Sequence, residues 1–180
     1  MKAVMIFVHG FLSDVYSPKY AAIRSYFGDK YDYDSIAWDS SSNLRMLFDD
    51  LHDNWSEYSH IVIIGESTGG NFAYQLREHL WSRSKQISLI LASPLMCDYQ
   101  RKNNVRLPIS IIPQLWNISE PRNALIIVTK DDYYFDQTWL LKKEFEGVEV
   151  YSVDDTHSLE KFEEYLPKIE SYIESRLNIQ

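Results

Sequence analysis

Gly65-Glu66-Ser67-Thr68-Gly69, followed by Gly70, has the pattern G-x-S-x-G. A serine hydroxyl attacks a carbonyl carbon only when a base takes its proton. Glycines two positions to either side let the chain turn sharply enough to present that hydroxyl without a side-chain collision. HIVIIG at 60–65 reads as a strand directly before the motif, and NFAYQLREHL at 71–80 reads as a helix directly after it. In such a strand–turn–helix setting the serine is exposed, and helix N–H groups favour negative charge beside it. Alone, the pattern arises by chance in roughly one chain in twenty of this length. The alternative is a tight glycine turn in which Ser67 merely caps the helix.

A base and a carboxylate must complete the chemistry, and on a strand–turn–helix scaffold of this kind they follow the serine in the order acid, then His. Of five His, only His79 and His157 lie beyond Ser67. His79 sits about three turns along the following helix, out of reach, and reads as a solvated or partly packed helix residue. His52, in a polar helix before Trp55, and His60, opening a strand, read as structural. His157 lies in Asp154-Asp-Thr-His-Ser158, a polar loop between the last strand and the last helix, where the base belongs. For the acid, Lys130-Asp-Asp-Tyr-Tyr-Phe-Asp136 follows a late strand, and Asp131 and Asp132 compete. Asp132 is favoured because apolar Phe135 can pin the loop beneath it, while Asp136 reads as the N-cap of a segment starting at Gln137. The spacings are 132 − 67 = 65 and 157 − 132 = 25 residues.

Charge developing on a carbonyl oxygen needs preorganised donors. The N–H of Thr68 is one candidate, and the loop His9-Gly10-Phe11-Leu12-Ser13 after the first strand offers the N–H of Phe11 as the other. Without the serine motif, His9-Gly10 would read as an ordinary strand-ending turn.

The elements that must position these groups are strands at 3–8, 32–37, 60–65, 87–92, 124–129 and 148–152, several apolar almost throughout. Strands of that kind are covered on both faces, and their alternation with helices predicts a parallel α/β sheet. Helices are expected over 69–84, with Phe72, Leu76 and Leu80 on one stripe, and over 158–177, kinked or split at Pro167. The whole chain, 1–180, reads as one domain. Residues 94–121, with Pro94, Pro108, Pro113 and Pro121, break the alternation and read as a lid or substrate-binding excursion, or else as an irregular surface loop. Leu95, Met96, Leu115 and Trp116 there can line an acyl pocket or simply be core.

Eighteen Lys+Arg against 26 Asp+Glu leave a net charge of −8, which disfavours nucleic acid and anionic membrane surfaces as partners. The apolar start stops after about six residues and reads as a buried strand rather than a signal peptide. No run of about 18 apolar residues occurs, so a cytoplasmic protein is expected. Cys97 is the single cysteine and reads as a packed small hydrophobe, with no thiol cluster for a metal. No metal or organic cofactor is expected.

IFVHGFLSD, IIGESTGG, DDYYFD and THSLEKFEEYLPKI together resemble an α/β-hydrolase, and among these the small single-domain bacterial esterases called YqiA-like. The likeness runs through nearly the whole chain in family order. It implies a three-layer α/β sandwich with a mostly parallel six-stranded sheet in order 2-1-3-4-5-6, lacking the first two strands of the full fold. It also implies Ser67 as nucleophile, Asp132 as acid, His157 as base, and Phe11 and Thr68 as oxyanion donors. The elbow departs from the family in Glu66 and Thr68, and the acid loop in Lys130-Asp131. The implied substrate is a small carboxylic ester, with thioesters or amides as the alternative. A noncatalytic interaction module on the same fold is the reading from a different class.

Overall fold

The computed structural model describes residues 2–81, 86–102 and 105–177. Six strands form one sheet: β1 (Ala3–Val8), β2 (Asp32–Ile36), β3 (His60–Glu66), β4 (Gln86–Ala92), β5 (Leu125–Thr129) and β6 (Glu149–Val153). Their order is β2-β1-β3-β4-β5-β6 and every neighbouring pair is parallel. All six carboxyl ends therefore open on one edge, where the loops after them meet.

Alternation along the strands explains their nearly continuous apolar sequence. Ile61 and Ile63 of β3 face one side with Val4, Ile6, Leu89, Leu91, Ile126 and Val128. That layer packs on Phe48 of α2 (Leu44–Leu51) and on Phe72, Leu76 and Leu80 of α3 (Thr68–Trp81). Val62 and Ile64 face the other side with Met5, Phe7, Ile90 and Ile127, under α1 (Pro18–Phe27) and α4 (Phe162–Leu177). The result is three layers with the sheet buried in the middle. β2 and β6, at the edges, carry the polar sequences DYDSI and EVYSV, and an edge strand needs only one covered face.

α1 escaped the sequence reading because only Ile23 and Phe27 are buried in it. Its signals were Ser17 as N-cap, Pro18 in the first turn and Gly28 at the end with φ 55°. α4 departs from expectation in its start, at Phe162 rather than at 158, and of the kink or split expected at Pro167 the split does not occur. The bond Pro167 cannot make is the one to the Glu163 carbonyl, in the exposed first turn where water can replace it. The expected helix over 69–84 runs to Trp81, and residues 82–84 lie outside the described residues.

The described residues of 94–121 include two short 3-10 helices, Asp98–Gln100 and Ile112–Gln114, and the stretch is held by buried polar side chains of α3. Asn71 Nδ2 donates to the carbonyls of Leu95 at 2.9 Å and Trp116 at 2.9 Å, and its Oδ1 accepts from Trp116 N–H at 3.0 Å. Gln75 Nε2 donates to the Gln114 carbonyl at 2.8 Å. Met96 and Cys97 are wholly buried in the main core, and burial pushes the Cys97 thiol up. Met96 therefore belongs to the core. Among the described residues, no helix is long and apolar enough to cross a membrane.

Candidate active site

Ser67 follows β3 with φ 53°, a left-handed conformation that costs an L-residue energy and is kept by its surroundings. Its N–H donates to the Ala92 carbonyl at 2.9 Å, and its own carbonyl accepts from the N–H groups of Gly70 at 3.0 Å and Leu95 at 2.9 Å. A side chain at Gly65 would lie 2.6 Å from the Gly69 carbonyl oxygen and 2.8 Å from Gly70 Cα. At Gly69 it would run into the carbonyls of Val8 and His9, and at Gly70 it would come within 2.7 Å of the Pro94 ring. The turn can thus be this tight, and this near the end of β1, only with glycines in it.

His157 reaches Ser67 from the loop after β6. Its Nε2 lies 3.0 Å from Ser67 Oγ and its Nδ1 lies 2.7 Å from Asp132 Oδ2. An ionised carboxylate only accepts, so Nδ1 carries the hydrogen and Nε2 is free to accept from the hydroxyl. Asp132 is 3% exposed, and its second oxygen accepts from the N–H groups of Tyr134 at 2.7 Å and Phe135 at 2.9 Å. Asp131 is exposed instead. The imidazole is flanked edge-to-face by Tyr134 and Phe135, with ring centroids 5.0 and 4.8 Å away. A hydroxyl, an imidazole and a carboxylate in this line form the arrangement in which a weak hydroxyl nucleophile can lose its proton as it attacks.

The loop after β1 lies against the same turn. A side chain built on Gly10 would sit 3.1 Å from Ser67 Cβ, so the backbone leading to Phe11 passes beside the hydroxyl. Thr68 opens α3, where the first N–H groups have no intrahelical acceptor. Phe11 and Leu115 pack with buried Leu95, Leu107 and Phe135. An apolar cluster thus links the β1 loop, the excursion and the ring that touches His157.

No protein-family model matches the sequence, and no curated protein matches it. Solved structures do. Est1E from Butyrivibrio proteoclasticus superposes with a TM-score of 0.73 at 12% identity, covering 98% of this chain and 88% of its own. Alpha/beta hydrolase domain-containing protein 10 from mouse gives 0.71 at 13%, covering 96% and 90%. The ydeN gene product from B. subtilis gives 0.61 at 18%, covering 98% and 99%.

The chain has the α/β-hydrolase fold.

On this α/β-hydrolase frame the structure brings Ser67, Asp132 and His157 together, with the backbone of Gly10–Phe11 and of Thr68 alongside. It leaves His79 and His60 elsewhere. His79 faces Asp49 of α2 at 3.5 Å, and His60 Nε2 pairs with Ser88 Oγ at 3.0 Å inside the sheet, where burial lowers its pKa. The side chain of His52 lies outside the described residues. Asp136 is not the N-cap, which falls on Gln137: Asp136 stands one residue before it, and its Oδ1 accepts from Thr138 N–H at 3.1 Å, at the start of a short 3-10 helix (Thr138–Leu141).

Several residues that hold the site were not legible in the sequence. His9 is buried, stacks on Trp38 at 5.2 Å, and receives the Trp38 N–H at Nε2 while Nδ1 faces the Gly10 carbonyl at 2.8 Å. Those bonds fix the turn that carries Phe11. Lys102 Nζ donates to the Asp132 carbonyl at 3.1 Å, and Lys102 N–H donates to Tyr134 at 2.7 Å, which ties the excursion to the acid loop. Glu66, an unusual elbow residue, pairs with Lys19 of α1 at 2.9 Å and joins that helix to the turn. Apart from the bond of His9 to Gly10, these contacts join residues distant in sequence, and residue type alone does not mark them.

Proposed function

We propose that this protein is a serine hydrolase that cleaves small carboxylic esters through an acyl-serine intermediate. The reading rests on one observation: the His157 ring stands between Ser67 Oγ at 3.0 Å and Asp132 Oδ2 at 2.7 Å. His157 Nε2 takes the Ser67 proton as Oγ attacks the ester carbonyl carbon. The N–H groups of Phe11 and Thr68 receive the oxyanion. The carbon–oxygen bond to the leaving alcohol then breaks, and His157 returns the proton to that oxygen. Water next attacks the acyl-serine, with His157 again as base, and releases the acid and free Ser67. Asp132 holds the imidazole tautomer and stabilises the imidazolium. No step calls on a cofactor.

The partly buried Phe11 and Leu115, packed on buried Leu95, Leu107 and Phe135, support an acyl group held against the β1 loop and the excursion. Est1E has been solved with ferulic acid bound, which makes an aromatic acyl group a useful member of a substrate panel. The narrower likeness to YqiA-like esterases belongs to this same proposal.

Intact mass after fluorophosphonate treatment, for wild type and Ser67→Ala, tests the reading. A single adduct on wild type that is absent from the folded variant is the expected result. No adduct on folded wild type would overturn it. Rates on an ester, a thioester and an amide of one acyl group then separate the reaction types.

A further inference from the structure

The segment Asp154–Lys161 carries His157 between β6 and α4, and one side chain closes it. Asp155 Oδ1 accepts from the N–H groups of Thr156 at 2.7 Å and Glu160 at 3.1 Å. Its Oδ2 accepts from Lys161 N–H at 2.9 Å and from the Tyr165 hydroxyl at 2.9 Å. These donors lie on both sides of His157 in the sequence and in the first turn of α4. The loop is thus folded around one carboxylate, with His157 between the donors that meet it. A left-handed residue, Leu159 at φ 48°, makes the return, and its buried side chain anchors the loop to the core layer under α4.

We infer that Asp155 is the positioning residue for His157, holding the loop so that the imidazole stands in line between Ser67 and Asp132. This rests on the hydrolase reading above. The contacts to Ser67 and Asp132 fix the ring only through its two nitrogens, and those bonds must loosen and re-form as protons move. Something other than the reacting groups has to hold the backbone beneath the ring. Bonds from N–H groups to an ionised carboxylate are among the stronger neutral-to-charged contacts available, and negative charge at the start of a helix is favoured. Burial alone would raise the Asp155 carboxyl, but the N–H groups of Lys161 and Thr156 and the Tyr165 hydroxyl outweigh it and hold it below the usual range. Burial and the bond to Asp155 push the Tyr165 hydroxyl well up, so it stays a donor. The clamp is therefore charged and complete throughout the neutral range.

The test compares wild type, Asp155→Ala, Asp155→Asn and Tyr165→Phe. It uses turnover of p-nitrophenyl acetate and long-range 1H–15N spectra of the His157 ring at a pH where the ring is neutral. Asp155→Ala is expected to lower kcat about tenfold to a hundredfold with little change in KM, since a small misplacement of a catalytic group costs that much. Its ring nitrogens should move from the Nδ1–H tautomer toward the mixture of a free imidazole. Asp155→Asn keeps one acceptor oxygen and should fall between, with Tyr165→Phe the mildest. A folded Asp155→Ala with wild-type ring shifts would overturn the inference, whatever its kcat or melting temperature, because the residue would then be only a helix cap. Should Asp155→Ala fail to fold, the same criterion applies to Asp155→Asn and Tyr165→Phe. A wild type that neither turns over ester nor takes the fluorophosphonate adduct would sink the hydrolase reading, while the ring shifts still decide the role of Asp155.

Discussion

The Asp132 carboxylate accepts the N–H of Phe135 at 2.9 Å, while the Phe135 ring stands edge-on to His157 at 4.8 Å. One residue thus fixes the acid through its backbone and the imidazole through its ring. Asp131, one position earlier, points to solvent. Asp132→Asn is expected to lower kcat by about 10³–10⁴-fold by losing the tautomer that leaves Nε2 free. Asp131→Asn should stay near wild type. Equal losses in the two variants, measured on one ester, would show that the choice between them is wrong.

The glycines near Ser67 should separate stability from activity. Gly69→Ala puts a methyl group into the carbonyls of Val8 and His9, so the end of β1 must move away from the turn. We expect the upper end of the roughly 1–3 kcal/mol that overpacking costs, read from urea unfolding. Gly10→Ala meets Ser67 Cβ at 3.1 Å, a distance that a small shift of the β1 loop relieves. Its stability should change little, but kcat should drop as the Phe11 N–H moves.

Asn71 gives a second stability test. Substitution to Ala strands the Leu95 carbonyl in a buried place and the carbonyl and N–H of Trp116 in a partly buried one. A loss of roughly 3 kcal/mol is expected, since each stranded group costs about 1–3 kcal/mol. Proteolytic cutting within 94–121 should rise with it. Unchanged protection of that segment would mean that α3 does not hold it.

The pH dependence of stability should carry a contribution from His60. Burial beside Ser88 lowers its pKa, so the unfolded chain takes up this proton before the folded one does. The contribution is fully present above the unfolded value near 6.5 and is lost as pH falls below it, by at most about 1.4 kcal/mol per unit. Unfolding free energies at mildly alkaline and mildly acidic pH should therefore fall more steeply for wild type than for His60→Gln. Parallel curves would show that His60 is as easily protonated folded as unfolded.

The sequence by itself determined the frame and the region of the candidate site. Apolar runs such as HIVIIG fit strands covered on both faces, and the structure places all six in one parallel sheet in the expected order. The glycines around Ser67, between a strand pattern and a helix pattern, made the turn legible. What only the tertiary structure decided depends on contacts between distant residues. The placement of Asp132 rather than Asp131 comes from two N–H groups and a ring on the far side of its loop. Asn71 and Gln75 look like ordinary polar helix residues until the excursion folds over them. Asp155 looks like one more acidic residue in a polar loop until four donors converge on it. Local pattern reports which face of an element is buried, but a hydrogen bond between remote side chains exists only once the layers have packed.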